Sequence, residues 1–260
     1  MSDTDVAWKI EYPLDDLLGN ELLCIADSTM ILAHWYIKVL PNGRSIPDFL
    51  AIAAMAQDEL GAARGLYEVI EGKASNTSFE DRVRGEEIRS MAVLDNPPSC
   101  WVDFVVTAYL VERAVLGMLS TFEGGKWNQL TGFTRKLKGE ARYHLLQTQG
   151  WFQSACGTDP DAVASSLRER LPVVVEWFGP DRESDELAQV GFRTVSVVEA
   201  ARQLIDSVAG EFEGWGVDVP VSAPSWKGWS STRRRCSGCV PEELMALVVG
   251  GDHHLRARRG

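Results

Sequence analysis

Apolar residues recur at alternating three- and four-residue steps along this chain, and in three stretches an ionisable side chain interrupts the apolar row. Phe49, Ile52, Ala56, Ala63, Leu66 and Ile70 keep that spacing, with Glu59 between Ala56 and Ala63. Trp101, Val105, Ala108, Val115, Leu119 and Phe122 do the same around Glu112. Leu130, Phe133, Leu137 and Trp151 flank Glu140 and His144. Residues so spaced share one helix face, and an apolar face turns toward a core. A carboxylate buried there without a partner is costly, so it pairs, takes up a proton or binds a metal.

The same pattern predicts the elements. Pro13 opens a helix over 14–40, and the Pro41-Asn42-Gly43 stretch breaks it. A second helix runs over 48–71 and ends at Gly72. A loop at 74–77 and a shorter, more polar helix over 79–94 follow, up to the break at Asn96-Pro97-Pro98-Ser99. Long helices are expected over 100–122 and 127–155, separated by Gly124-Gly125. Asp159 before Pro160 is a good N-cap for the next, in which Pro172 marks a kink or break. A sixth spans 185–212. From Gly214 the chain turns rich in Gly, Pro, Ser and Trp, which reads as an extended arm with a short helix near 241–248. Alternating strand patterns are almost absent. The fold class is therefore all-α, a helical bundle over 1–213 with a C-terminal arm over 214–260 packed on the bundle or on a partner.

Composition narrows the function. The 260 residues are 45% hydrophobic, enough for a sizeable core, and the formal net charge is −11. That balance, with one dense basic cluster at Arg233 to Arg235, argues against a nucleic-acid partner. No basic segment followed by an apolar stretch opens the chain, and no run approaches the roughly 18 apolar residues of a membrane span. The five cysteines are odd in number and scattered, so a reducing cytoplasm is the expected home.

Two readings of the interrupted rows compete. Glu140 and His144, four apart, share a face, and with Glu59 and Glu112 they could form a buried salt-bridge network with Arg113, Lys138 and Arg64 as partners. Alternatively, they hold a metal. A helical-bundle di-iron centre uses about six ligands, including two Glu-x-x-His motifs. Here Ala62 stands three after Glu59 and Ala141 three before His144, so neither motif is intact. His34, beside Asp27, Met30 and Ile37, reads as a hydrogen-bonded core histidine. Cys236-Ser237-Gly238-Cys239 with His253 and His254 downstream is a weaker zinc pattern. Trp226 and Trp229, near the arginine run, read as core or interface anchors.

Gly139-Glu140-Ala141-Arg142-Tyr143-His144-Leu145, with Gly150-Trp151, and Ala56-Gln57-Asp58-Glu59-Leu60-Gly61-Ala62-Ala63-Arg64 resemble the phenylacetic acid catabolic proteins. These are the helical subunits of ring 1,2-phenylacetyl-CoA epoxidase. The resemblance runs over about 18–157. It implies a ferritin-like bundle in a multicomponent acyl-CoA monooxygenase of aromatic-compound catabolism. In that family one subunit carries the di-iron centre and binds the acyl-CoA, and its homologue is a structural partner that has lost most ligands. The Glu140 to His144 run and Ala62 look more like the structural subunit. Glu59 and Glu112 fall where the catalytic subunit has carboxylate ligands, and His34 falls near the first-helix carboxylate. The resemblance thus implies a subunit supporting a homologous catalytic chain, pairing with it or with itself. No cofactor is expected there, with iron at a degenerate Glu59, Glu112, Glu140 and His144 site as the exception. The alternatives are a divergent di-iron oxygenase active in its own right and an orphan helical interaction protein.

Overall fold

The computed structural model describes residues 14–71, 88–180, 185–214 and 224–248. The helices are α1 (Leu14–Val39), α2 (Ile46–Glu71), α3 (Trp101–Ser120), α4 (Asn128–Thr158), α5 (Pro160–Glu176), α6 (Glu186–Gln189), α7 (Val197–Glu213) and α8 (Glu242–Val248). Among the described residues no β-sheet forms, and Ser230 and Arg235 make an isolated antiparallel bridge. The protein is an all-α helical bundle.

Two antiparallel hairpins make the frame. A short 3₁₀ turn, Leu40–Asn42, joins α1 to α2, and at the far end the Tyr67 hydroxyl of α2 donates to the Asp27 carboxylate of α1. The α3 and α4 helices are joined at 121–127. Trp101, at the start of α3, meets Trp151, near the end of α4, at 5.4 Å ring to ring, as their opposed direction requires. The α5 helix returns along α3. Asp159 accepts the Ala162 N–H at 3.0 Å, as its N-cap role requires, and the helix continues through Pro172. The apolar rows do bury: Ile52, Ala63, Leu66, Val105, Ala108, Leu119 and Leu130 all lie in one core. Phe49 is the exception, 44% exposed at the open start of α2.

Other expectations need correction. The helix predicted over 79–94 lies partly outside the described residues, and the 74–77 loop lies wholly outside them. The helix's described end is non-helical from Ile88 to Met91, then a 3₁₀ turn at Ala92–Asp95. Ile88, Met91, Val93 and Leu94 are buried, so their helix-like spacing reflects burial of an irregular strap. The helix predicted over 185–212 is two pieces. Between them Gly191 takes φ +81°, a left-handed conformation that favours glycine, and Phe192 and Arg193 turn into the core. The segment Leu17–Asn42 is, by length and composition, long and apolar enough to cross a membrane, contrary to the reading of the sequence. In its most apolar window 83% of the residues are buried inside the bundle, as in a core helix.

Two arginines of the basic cluster near the C-terminus, Arg234 and Arg235, face inward. Arg234 donates to the Glu21 carboxylate and to the carbonyls of Trp177 and Phe178, and Arg235 to Asp95 and the Ser90 carbonyl. Glu21 is shared with Arg193. Trp229 donates its indole N–H to the Glu176 carbonyl at 2.9 Å. Trp229, read from sequence as a core or interface anchor, and Arg234 and Arg235 thus bind the protein's own bundle.

Candidate metal centre

Three helices bring the predicted residues together. Glu59 comes from α2, Glu112 from α3 and His144 from α4. One ligand atom of each lies within 4.8 Å of the others. Their burial follows from the apolar rows in which they sit: Glu112 is 3% and His144 4% exposed, with Ala108, Val115 and Leu137 as flanking core residues. His144 Nδ1 lies 3.1 Å from Glu59 Oε1 and 3.5 Å from Glu112 Oε1, while Nε2 lies 3.2 Å from Asp58 Oδ2. The Tyr36 hydroxyl of α1 donates to Glu112 Oε1. The other oxygen, Glu112 Oε2, is buried without a hydrogen-bond partner.

Glu140 does not join this cluster. Its side chain is 46% exposed and pairs with Lys136, one turn earlier, at 3.7 Å. It stands at the rim of a small cavity of about 30 Å³, which Thr29, Asp58, Glu59, Ala62, Glu112, Ala141 and His144 also line. His34 is buried elsewhere, its Nδ1 2.8 Å from the Met30 carbonyl, and burial holds it below the ordinary imidazole range.

The cations proposed as partners are committed to other groups. Arg113 pairs with Glu211 at 2.7 Å, Lys138 with Glu123 at 2.7 Å, and Arg64 with Glu68 at 3.3 Å. The salt-bridge reading in its arginine-and-lysine form therefore fails. Each of those residues points off the buried face that carries the acids. What remains is a single imidazole among Asp58, Glu59 and Glu112. Burial works against the charged ring of His144, but hydrogen bonds and charges from Glu112 and Glu59 outweigh it and raise its pKa. Glu59 is also pushed up, first by burial and then by the neighbouring Glu112 and Asp58 charges, against the pull of His144. The two upward shifts have different causes: the carboxylates favour the charged imidazole, whereas burial disfavours the charged Glu59 carboxylate.

This donor set suits a cation. Two buried carboxylates and an imidazole nitrogen converge, one carboxylate oxygen has no partner, and the cavity is large enough for a water-sized occupant. The far side of His144 is also apt. A histidine that binds metal through one nitrogen commonly directs the other N–H to a carboxylate, and Asp58 occupies that place.

Reading the sequence missed Tyr36, Asp58 and Thr29. Thr29, Leu32 and Tyr36 follow the helical face spacing within α1, which would have placed them opposite the acids. Asp58 gave no periodic signal, being adjacent to Glu59 and half-exposed.

The Cys236–Cys239 pair carries no comparable geometry. Cys239 is exposed, the Cys236 thiol donates to the Ser225 carbonyl at 3.1 Å, and His253 and His254 lie outside the described residues.

Compared with known families, the chain matches the model described as phenylacetic acid catabolic protein over residues 6–234. No curated protein matches it.

Proposed function

The chain belongs to the phenylacetic acid catabolic protein family, and from that premise we propose that it is a metal-binding bundle subunit of a cytoplasmic monooxygenase acting on aromatic acyl-CoA thioesters. The observation that carries the metal assignment is the imbalance of buried charge. Glu59 and Glu112 are buried around one imidazole, with Asp58 at its exposed edge, and Arg64, Arg113 and Lys138 are paired elsewhere. An apo pocket of this kind repels itself, and a divalent cation relieves it.

Glu59, Glu112 and His144 would hold the ion. A bound iron would supply Lewis acidity and dioxygen chemistry. Tyr36 fixes one oxygen of Glu112, leaving the other free to turn toward a ligand. Asp58 holds the plane of the imidazole through Nε2. Leu32, Leu119 and Leu137 wall the cavity and restrict water.

A second reading, a supporting subunit for a homologous catalytic chain, is favoured by the size of the cavity. About 30 Å³ is far below the roughly 150 Å³ that a benzene-sized guest needs. On this reading the aromatic ring is handled by the partner. One experiment separates the two readings: purify the full-length chain alone and with a homologous bundle subunit, and measure iron and product formation from phenylacetyl-CoA. Iron and turnover in the chain alone support the enzyme. Turnover only with the partner, unaffected by Glu112→Gln here, supports the scaffold.

A further inference from the structure

Resting on the metal-binding reading above, we propose that this site holds one divalent ion per chain, bound by Glu59, Glu112 and His144 Nδ1, and not a pair. A two-metal bundle site draws a carboxylate from each of two helices and a Glu-x-x-His motif from each of the other two. Among its described side chains the α1 helix offers no free carboxylate to the site. Glu21 is tied to Arg193 and Arg234, and Asp27 accepts from Tyr67 and from the Arg89 backbone N–H at 2.6 Å. What α1 presents to the site is Thr29, Leu32 and Tyr36. The two further places that a second ion would use are Ala62 and Ala141, and both line the cavity without a donor atom.

Three observations keep a single ion in favour over none. The donor atoms already lie within 4.8 Å of one another. Two buried oxygens at the site, Glu112 Oε2 and Thr29 Oγ1, have no hydrogen-bond partner. Thr29 is 2% exposed, so its hydroxyl has no bulk water to turn to. A small cavity beside these atoms can complete the coordination of one ion with water. Glu140 at the rim, drawn to Lys136, is placed to admit a cation from solvent. A set of two carboxylates and one imidazole is hard to borderline in character, which suits Fe(II) or Mn(II).

The test is to load the full-length protein anaerobically with Fe(II), and separately with Mn(II), remove excess ion, and count metal per chain by elemental analysis. The expected count is one, with the Mn(II) resonance of an isolated ion. Glu59→Gln and Glu112→Gln, each judged folded by circular dichroism, should bind Mn(II) roughly tenfold more weakly or worse. Two ions per chain with an exchange-coupled Mn(II) spectrum would overturn the single-ion proposal and leave the metal-binding reading standing. No retained ion in the parent protein would overturn both. Unchanged affinity in both glutamine variants would mean that the ion sits elsewhere and would equally overturn the assignment.

Discussion

Asp103 and Arg170 show how a single residue pair is held in this bundle. Arg170 Nε and Nη2 reach Asp103 Oδ1 and Oδ2 at 2.9 and 2.6 Å, and Nη1 reaches the Asn96 carbonyl at 2.9 Å. Burial opposes the charge on Asp103, but the Arg170 hydrogen bonds and the Ser99 N–H outweigh it, so its pKa lies below the ordinary carboxylate range. Glu21 is lowered in the same way, with Arg193 and Arg234 overcoming its burial. The folded state thus binds fewer protons than the unfolded one in the region below about pH 4, and stability falls as pH drops through it. Thermal melts should show a steep acid limb there, and Asp103→Asn should flatten it. Arg170→Ala leaves the buried Asp103 carboxylate without its cation, held by Ser99 only, and should cost about 3–5 kcal/mol at neutral pH in chemical denaturation. A variant that unfolds at the parent's midpoint would mean that Asp103 has reached water. At the metal site, Asp58→Asn should weaken Mn(II) binding roughly ten- to hundredfold while leaving helix content intact, measured by titration calorimetry. An unchanged affinity would show that the imidazole is oriented without Asp58.

Among the elements, the long helices were legible because their apolar rows are unbroken over many turns. Glu59, Glu112 and His144 were legible for the same reason, as ionisable interruptions in those rows. Glu140 shares His144's face in a helical projection, yet Lys136, one turn before it, draws it outward. Their expected cationic partners failed because a sequence row gives a residue's face but not which helix stands opposite. The strap at Ile88 to Asp95 and the break at Gly191 were hidden for a different reason. Buried residues in irregular chain carry the same apolar spacing as a helix. The C-terminal arm extends this point. The turn from Trp229 to Arg235 closes over α1 and the end of α5 through Glu21, Glu176 and the carbonyls of Trp177 and Phe178. Removing residues 214–260 would leave Glu21 with Arg193 only, and Asp95 without Arg235. That deletion should therefore lower the melting temperature of the bundle itself. Arg234→Ala isolates the effect and should cost about 3–5 kcal/mol. Arg234→Lys should recover little of it, because one ammonium cannot reach a carboxylate and two carbonyls in the guanidinium's fixed geometry. Equal stability of Arg234→Lys and the parent would show that charge alone suffices.

For the whole molecule, the inward turn of the arginine and tryptophan anchors moves the search for a partner surface to other parts of the bundle. The α2 and α4 helices expose large apolar groups. Leu50 is 61% exposed, Tyr143 75% and Leu146 57%, on the same two helices that the Asp58–His144 contact joins. Isolated exposed apolar residues are ordinary, but several on adjoining helices mark a surface that another protein can cover. If the association with itself or with a homologous subunit uses this face, it engages the two helices that carry Glu59 and His144, and a partner reaching the cavity rim would exclude water there and help to hold Glu140. Leu50→Asp with Leu146→Asp tests this. Both side chains are largely exposed, so the pair should change stability by no more than about 1 kcal/mol. Sedimentation of the full-length chain, alone and with the homologous subunit, should then shift from dimer to monomer, and Mn(II) should exchange faster from the variant than from the assembled parent. A dimer that survives both substitutions would place the interface on another face and would separate assembly from the metal site.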